Sequence, residues 1–298
     1  MNKIIKFLSV LLVLTMLCGC GGNAISSSET DASGTPAPSS TALDIPDITV
    51  PIDITGTPAA DDPSSETPSS STSSGTDDID LSKVIAITFD DGPDMRYTSS
   101  TGRILDVLEE YDCKATFFIQ TIQITYDVPC NEETGESFVT RNKALIAREH
   151  ELGMEIGTHS FDHPNFNNLS DEEIQYQIDK SCSMIKEITG EDVKIMRTPY
   201  GAHEDNVLAA VDLPIILWSI DTLDWDTKDA QNTYNVILEQ VTGGSIILMH
   251  DIYKETADAV EMVVPELVAR GYKLVTVSEL FELYGKTLTG HNYYCSAN

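Results

Sequence analysis

The sequence predicts an α/β fold built on parallel β-strands, and three observations support this prediction. Short apolar runs rich in β-branched residues alternate with amphipathic segments of helical period from residue 81 onward. The alternation gives seven strand-then-helix units, an order that requires crossovers between parallel strands. Unusual polar residues follow the strands, at the edge where parallel α/β folds assemble their sites. Periodicity alone leaves open whether the sheet closes into a barrel.

The predicted strands are short and mostly apolar. They cover residues 84–89, 115–119, 154–157, 194–196, 215–219, 245–249 and 273–277. The predicted helices show apolar residues at helical spacing. They cover residues 102–111, 143–152, 171–189, a short stretch from 204, 231–241, 257–270 and 278–284. The third helix is the best defined, because Ser170 and Glu173 form a capping box at its start and Gly190 can end it.

The first 80 residues indicate an export signal followed by a tether. Two lysines precede an apolar run that is short for a membrane span, although an uncleaved membrane anchor is the alternative. Leu-Cys-Gly-Cys at 17–20 resembles a bacterial lipoprotein box, which makes 1–20 the signal and Cys20 the lipidated residue. Residues 21–80 bury too little apolar surface to fold and are predicted to be a disordered linker. We therefore expect an exported protein, lipid-anchored to the outer face of the cytoplasmic membrane.

Composition disfavours some classes of function. The formal net charge of −30 has the same sign as nucleic acid, so no nucleic-acid partner is expected. Nothing in the composition indicates an oligomer, and a monomer is expected. Beyond the signal, the cysteines are Cys113, Cys130, Cys182 and Cys295. Two disulfides are permitted in an exported protein, but a buried free thiol is the commoner explanation for Cys113 and Cys182.

Residues able to bind a metal follow the first and third predicted strands. Asp90 and Asp91 are adjacent carboxylates, which are costly in a partly dry place unless a cation lies nearby, although Asp-Gly-Pro also commonly starts a turn. His159 and His163 can meet on one tight turn. Together with one carboxylate they give a His, His, Asp set suited to zinc with open coordination positions.

Five short motifs follow the strands in chain order. They are Thr-Phe-Asp-Asp-Gly-Pro at 88–93, His-Ser-Phe-Asp-His-Pro at 159–164, Arg-Thr-Pro-Tyr-Gly at 197–201, Asp-Thr-Leu-Asp-Trp at 221–225 and Ile-Leu-Met-His-Asp at 247–251. Together they resemble the polysaccharide deacetylases of carbohydrate esterase family 4, which share the NodB homology domain. The resemblance implies a deformed (β/α) barrel over 81–285 and a C-terminal tail over 286–298. Thr198 departs from the Pro that is commoner in the family, and residues 120–142 form an irregular insertion beside the site.

The resemblance also implies a role for each motif residue. It implies one divalent ion, Zn²⁺ in the first place and Co²⁺ or another ion as the alternative, whose ligands are Asp91, His159 and His163. Asp90 would be the general base, oriented by Arg197. His250 would be the general acid, oriented by Asp221. The backbone N–H of Tyr200 would stabilise the oxyanion.

The expected activity is removal of N-acetyl groups from a cell-wall or extracellular polysaccharide, in the first place peptidoglycan N-acetylglucosamine. The resemblance implies that Trp225 and Leu248 line the pocket for the acetyl methyl group. Amide hydrolysis needs a polarised carbonyl, activated water and a proton for the leaving nitrogen, so a separate base and acid are required. An esterase acting on O-acetyl xylan is the alternative. A non-catalytic glycan-binding protein would lack one of these groups, and all are present.

Overall fold

The computed structural model describes residues 79–93, 99–125, 127–131 and 133–298. The predicted signal, Cys20 and nearly all of the predicted linker lie outside these residues. The strands are β1 (Val84–Asp90), β2 (Thr116–Ile119), β3 (Pro129–Asn131), β4 (Glu136–Ser137), β5 (Glu155–Thr158), β6 (Ile215–Ile216), β7 (Ile220–Asp221), β8 (Ile246–His250), β9 (Lys273–Leu274) and β10 (Tyr293–Tyr294).

The helices cover most of the ranges that were predicted to be helical. They are α1 (Ser100–Glu110), α2 (Phe138–Glu151), α3 (Asp171–Thr189), α4 (Asp205–Ala210), α5 (Asp224–Thr227), α6 (Ala230–Gln240), α7 (Lys254–Ala269) and α8 (Val277–Leu283). In the described ranges, no helix combines the length and the apolar character that crossing a membrane requires. The bounds of α3 match the prediction, because Ser170 and Glu173 form the capping box and Gly190 adopts the left-handed conformation.

The parallel strands close into a deformed barrel. β1 pairs with β2 on one side and with β8 on the other, β2 pairs with β5, and β8 pairs with β7. The fourth predicted strand is reduced to Met196, which bridges Thr158 of β5 and Ile215 of β6. Because β6 and β7 are successive pieces of one run, the ring closes. β9 adds parallel pairs to the start of β1, which confirms the predicted α/β class with about seven parallel strand positions.

The interior explains why β1 is an uninterrupted apolar run. Every residue of β1 is buried, since one face looks into the barrel and the other meets the surrounding helices. The larger apolar cluster lies between the strands and helices α1, α6 and α7, and includes Phe89, Phe117 and Val260. This scaffold holds the carboxyl ends of β1, β5 and β8 on one face.

Residues 120–142 are more regular than predicted. After a 3₁₀ turn at Thr121–Ile124, strands β3 and β4 form an antiparallel hairpin, and α2 begins before residue 143. Ser137 caps α2, because its side chain accepts a hydrogen bond from the Thr140 N–H. The polar Asn142 lies on the buried face of α2 and donates to the Gln123 carbonyl at 2.9 Å. Because Asn142 is polar, it interrupts the helical spacing of apolar residues. The sequence pattern therefore did not indicate the part of α2 before residue 143.

The segment 286–298, predicted to be a tail, is part of the fold. β10 pairs in parallel with β6, and the Ala297 N–H donates to the Gly244 carbonyl at 2.9 Å. Ala297 is fully buried. The prediction of a tail outside the domain is therefore corrected: a two-residue strand gives too weak a local pattern, and its partner is distant in sequence.

The four cysteines of the described residues are free thiols. Burial, followed by the nearby charge of Asp112, raises the pKa of Cys113 to about 11. Burial also raises the pKa of Cys182 to about 11. Buried, protonated thiols are inert, which agrees with the preference for free thiols over disulfides at these two positions.

Candidate active site

A pocket of about 410 Å³ opens at the carboxyl ends of the strands. Its walls include nine residues that the sequence singled out, namely Asp90, Asp91, His159, His163, Tyr200, Asp221, Trp225, Leu248 and His250. Arg197 lies behind the pocket and is fully buried. The sequence did not indicate Trp218 and Tyr253, which also line the pocket. The fold thus brings residues from five separate motifs to one place.

Three of these residues form a ligand set for one ion. Asp91 Oδ1 lies 3.4 Å from His163 Nε2 and 3.6 Å from His159 Nε2, and the two Nε2 atoms are 3.2 Å apart. Ligands of a tetrahedral zinc ion at about 2.0–2.1 Å lie roughly 3.3 Å from one another. The side chains are therefore spaced as a shared cation requires.

The surroundings of His159 and Asp91 also indicate a cation site. His159 Nδ1 lies 2.7 Å from the Arg197 carbonyl oxygen, so Nδ1 carries the proton and Nε2 presents its lone pair. Burial lowers the pKa of His159 to about 3, which keeps the ring neutral. Asp91 Oδ1 is buried without a hydrogen-bond partner, a cost that a cation removes. The residues present fit a divalent ion.

The site loops use backbone conformations that the sequence pattern did not reveal. Asp91, Ser160, His163, Tyr200 and Leu223 all have positive φ, between 55° and 72°. The left-handed region is uncommon for residues other than glycine, and such strain concentrates at functional sites. These turns lie in the loops that carry the pocket residues.

The first residues of the predicted insertion hold two site loops together. The N–H groups of Gln120, Thr121 and Ile122 donate to the carbonyls of Gly92, Ser160 and Phe161, respectively, at 3.3, 3.3 and 2.8 Å. Gly92 follows Asp91, and Ser160 and Phe161 lie between the two histidine ligands. The segment after β2 therefore fixes the distance between the loops that carry the ligand set.

Asp90 is held in place by the buried Arg197. Its Oδ1 accepts a hydrogen bond from Arg197 Nη1 at 2.8 Å, and its Oδ2 lies 3.7 Å from His159 Nε2. Burial raises the pKa of Asp90, and the charge of Arg197 opposes this increase. The Arg197 guanidinium is itself fixed by the Ile216 and Leu217 carbonyls at 2.8 and 2.9 Å. Arg197 thus orients Asp90, as the family resemblance implied.

The carboxylate that orients His250 is Asp224. Asp224 Oδ1 lies 2.8 Å from His250 Nδ1, and its Oδ2 accepts from the His250 N–H at 2.8 Å. Thr256 Oγ1 donates to the same Oδ2 at 2.6 Å. The prediction that Asp221 has this role is wrong, because Asp221 Oδ1 instead accepts from the Leu223 N–H at 3.0 Å.

The local backbone explains this correction. Asp221 ends β7, and the role was assigned to it from the family resemblance. Leu223 has a left-handed backbone and precedes the short helix α5, which carries Asp224 inward until it is 2% exposed. The pattern Asp-x-x-Asp-Trp contains two candidate carboxylates, and only the turn decides which one reaches His250.

The protonation state of His250 suits the role of an acid. Burial favours neutral His250, but the hydrogen bond and charge of Asp224, with the charges of Asp90 and Asp91, raise the pKa of His250 to about 9. His250 is therefore protonated at neutral pH and can donate a proton.

Apolar and aromatic side chains line the rest of the pocket, and some of them are exposed. Leu248 is 3% exposed, whereas Trp225 and Tyr200 are 48% and 69% exposed. The Tyr200 ring lies 4.7 Å from the His163 ring. Trp225 and Leu248 thus line the pocket as expected, and the oxyanion role of the Tyr200 N–H stays a prediction.

Comparison with known proteins places the chain in a family. The family model for polysaccharide deacetylase matches residues 78–213. The chain is 34% identical over 209 residues to the chitooligosaccharide deacetylase of Azorhizobium caulinodans, which covers 64% of this chain and 90% of that protein. The chain belongs to the polysaccharide deacetylase family. The matched region therefore covers nearly the whole length of the chitooligosaccharide deacetylase.

Two further members of the polysaccharide deacetylase family are informative. Peptidoglycan-N-acetylglucosamine deacetylase PgdA of Listeria monocytogenes is 39% identical over 214 residues, which cover 72% of this chain and 41% of that protein. The chain thus spans about two fifths of that relative. The family 4 acetyl xylan esterase of Clostridium thermocellum, solved with a cobalt ion, has a TM-score of 0.62 and 31% identity and covers 72% of this chain and 98% of that one.

Proposed function

We propose that this chain is a metal-dependent deacetylase that removes N-acetyl groups from a cell-wall or extracellular polysaccharide, with peptidoglycan N-acetylglucosamine as the first candidate. One observation carries the proposal: a His, His, Asp ligand set shares a pocket with a separate base, Asp90, and a separate acid, His250. The likeness to PgdA, whose name specifies peptidoglycan N-acetylglucosamine, supports the substrate.

The proposed metal ligands and Asp90 act in the first step, the attack of water on the acetyl carbon. Asp91, His159 and His163 would hold the ion. When bound, a divalent ion supplies a Lewis acid for the acetyl carbonyl and lowers the pKa of water. Asp90, fixed by Arg197 at 2.8 Å, takes the proton of the water that attacks the acetyl carbon. The backbone N–H of Tyr200, in a left-handed turn, would stabilise the developing oxyanion.

His250 serves the second half. Collapse of the tetrahedral intermediate breaks the bond between the acetyl carbon and the sugar nitrogen, and that nitrogen leaves only if it gains a proton. His250 donates this proton, and Asp224 holds the imidazolium through Nδ1. The products are acetate and a free amino sugar. Leu248 and Trp225 exclude water around the acetyl methyl group.

An O-acetyl xylan esterase is the second candidate. The likeness to the Clostridium thermocellum acetyl xylan esterase favours it. An ester has a better leaving group than an amide, so the same base and ligand set would serve and the acid would matter less. A dependence on His250 therefore points to the amide substrate.

Acetate release tests both candidates. We expect the purified protein to release acetate from N-acetylglucosamine oligomers and peptidoglycan faster than from acetylated xylan. A chelator is expected to stop release, and added Zn²⁺ or Co²⁺ to restore it, which also identifies the better ion. Release only from xylan would favour the esterase. Release that persists in chelator would refute the metal-dependent mechanism.

We also propose that the protein works outside the cytoplasm as a lipid-anchored monomer. The lipoprotein box at 17–20 supports an anchor at Cys20. The linker predicted over 21–80 would have a typical end-to-end distance of about 40 Å, which would let the domain reach wall polymers. Cys20→Ser is expected to move the protein from the membrane fraction to the medium, while Cys18→Ser leaves it bound. Unchanged fractionation of Cys20→Ser would refute the anchor.

A further inference from the structure

The exposed rings of His203 and Tyr293 contact each other, and Tyr293 comes from the C-terminal strand β10. The ring of His203 lies 4.6 Å from the ring of Tyr293, with 49° between the planes. His203 Nδ1 lies 2.6 Å from the carbonyl oxygen of Gly201, and Gly201 lines the pocket. The pair is thus tied directly to a residue of the pocket wall.

The fold holds Tyr293 rigidly. β10 pairs with β6, and the Tyr294 carbonyl accepts from the Leu217 N–H at 2.8 Å. The Tyr294 ring packs edge-on against Phe281 at 5.2 Å. Because successive side chains of a strand point to opposite faces, this packing of Tyr294 leaves Tyr293 on the outer face, where it is 46% exposed.

A third exposed aromatic residue, Tyr200, lies close to the pair along the chain. Tyr200 lines the pocket and is 69% exposed. His203 is three residues further along the chain, a separation that spans at most roughly 11 Å. Single exposed aromatic residues are common, but neighbouring ones beside a pocket mark a binding surface.

We propose that His203 and Tyr293 form a sugar-binding subsite for a unit of the polysaccharide next to the one that is deacetylated, an inference that rests on the proposed function. The occupant is part of the same chain that enters the pocket. A pyranose ring presents a face of C–H bonds that stacks on an aromatic ring, while its hydroxyls need hydrogen bonds. Since Nδ1 of His203 donates to Gly201, Nε2 offers a lone pair to a sugar hydroxyl.

Chain-length dependence tests the subsite. We expect kcat/KM of the parent to rise from the dimer to the hexamer of N-acetylglucosamine. Tyr293→Ala is expected to lose about five- to tenfold on the hexamer and much less on the dimer, the size of one aromatic contact. Tyr293→Phe, which keeps the ring, is the matched control and should behave as the parent. His203→Ala should show the same selective loss with β10 unchanged.

The outcomes separate this inference from the proposed function. If Tyr293→Ala and His203→Ala match the parent at every length, or lose the same factor at every length, there is no subsite. If the parent releases no acetate from any oligomer, the proposed function fails. Calorimetry then still decides the subsite, by comparing the affinity of Asp90→Asn for the hexamer with that of the double variant Asp90→Asn, Tyr293→Ala. A five- to tenfold lower affinity of the double variant supports the subsite. Equal affinities, or no binding to either protein, overturn it.

Discussion

Replacing Asp90 by Asn is expected to reduce kcat/KM for acetate release by about 10²–10⁴-fold, the usual contribution of a general base. Asn has nearly the same shape and can still accept the hydrogen bond from Arg197 Nη1, which is 2.8 Å long in the parent. It cannot take a proton from water. Metal content, measured by elemental analysis, is expected to stay at the parental level.

A variant that lacks one of the proposed metal ligands is the comparison for Asp90→Asn. His163→Ala removes one of the three ligand atoms that lie within 4.8 Å of one another, so both metal binding and activity are expected to fall. Near-parental activity of Asp90→Asn would show that another group is the base. Loss of metal from Asp90→Asn would show that Asp90 acts mainly through the ligand set.

Asp224→Asn is expected to reduce kcat/KM by about 10²–10⁴-fold and to move the alkaline limb of the pH profile to lower pH. Burial disfavours the imidazolium of His250, and the hydrogen bond and charge of Asp224 are the first causes that overcome it and raise the pKa to about 9. Removing that charge lowers the pKa of His250. The protonated acid is then lost at a lower pH.

Asp221→Asn is the matched control, because it makes the same change three residues away on the same motif. Its Oδ1 bonds the Leu223 N–H and does not contact His250. We expect its alkaline limb to coincide with that of the parent when kcat/KM is measured from about pH 5 to pH 10. A shifted limb in Asp221→Asn and an unshifted one in Asp224→Asn would reverse the assignment. Circular dichroism checks that the buried substitution leaves the fold intact.

The architecture was largely predictable because its signals are local. The apolar run of β1 and the capping box of α3 are properties of adjacent residues, and both appear in the structure as predicted. Met196 behaves differently: its predicted strand has only single bridges to Thr158 and Ile215. Strand pairing depends on partners distant in sequence, so the length of such an edge element is not visible in its own residues.

The sequence by itself predicted nine residues of the pocket, among them the proposed ligands Asp91, His159 and His163. Parallel strands place their carboxyl ends on one face, so residues that follow the strands must meet. The tertiary structure alone decided that Asp224, and not Asp221, holds His250, and that the C-terminal segment brings Tyr293 against His203. The first depends on the left-handed turn at Leu223, and the second depends on pairing between β10 and β6, which are distant in sequence. The spacing of residues along the sequence encodes neither.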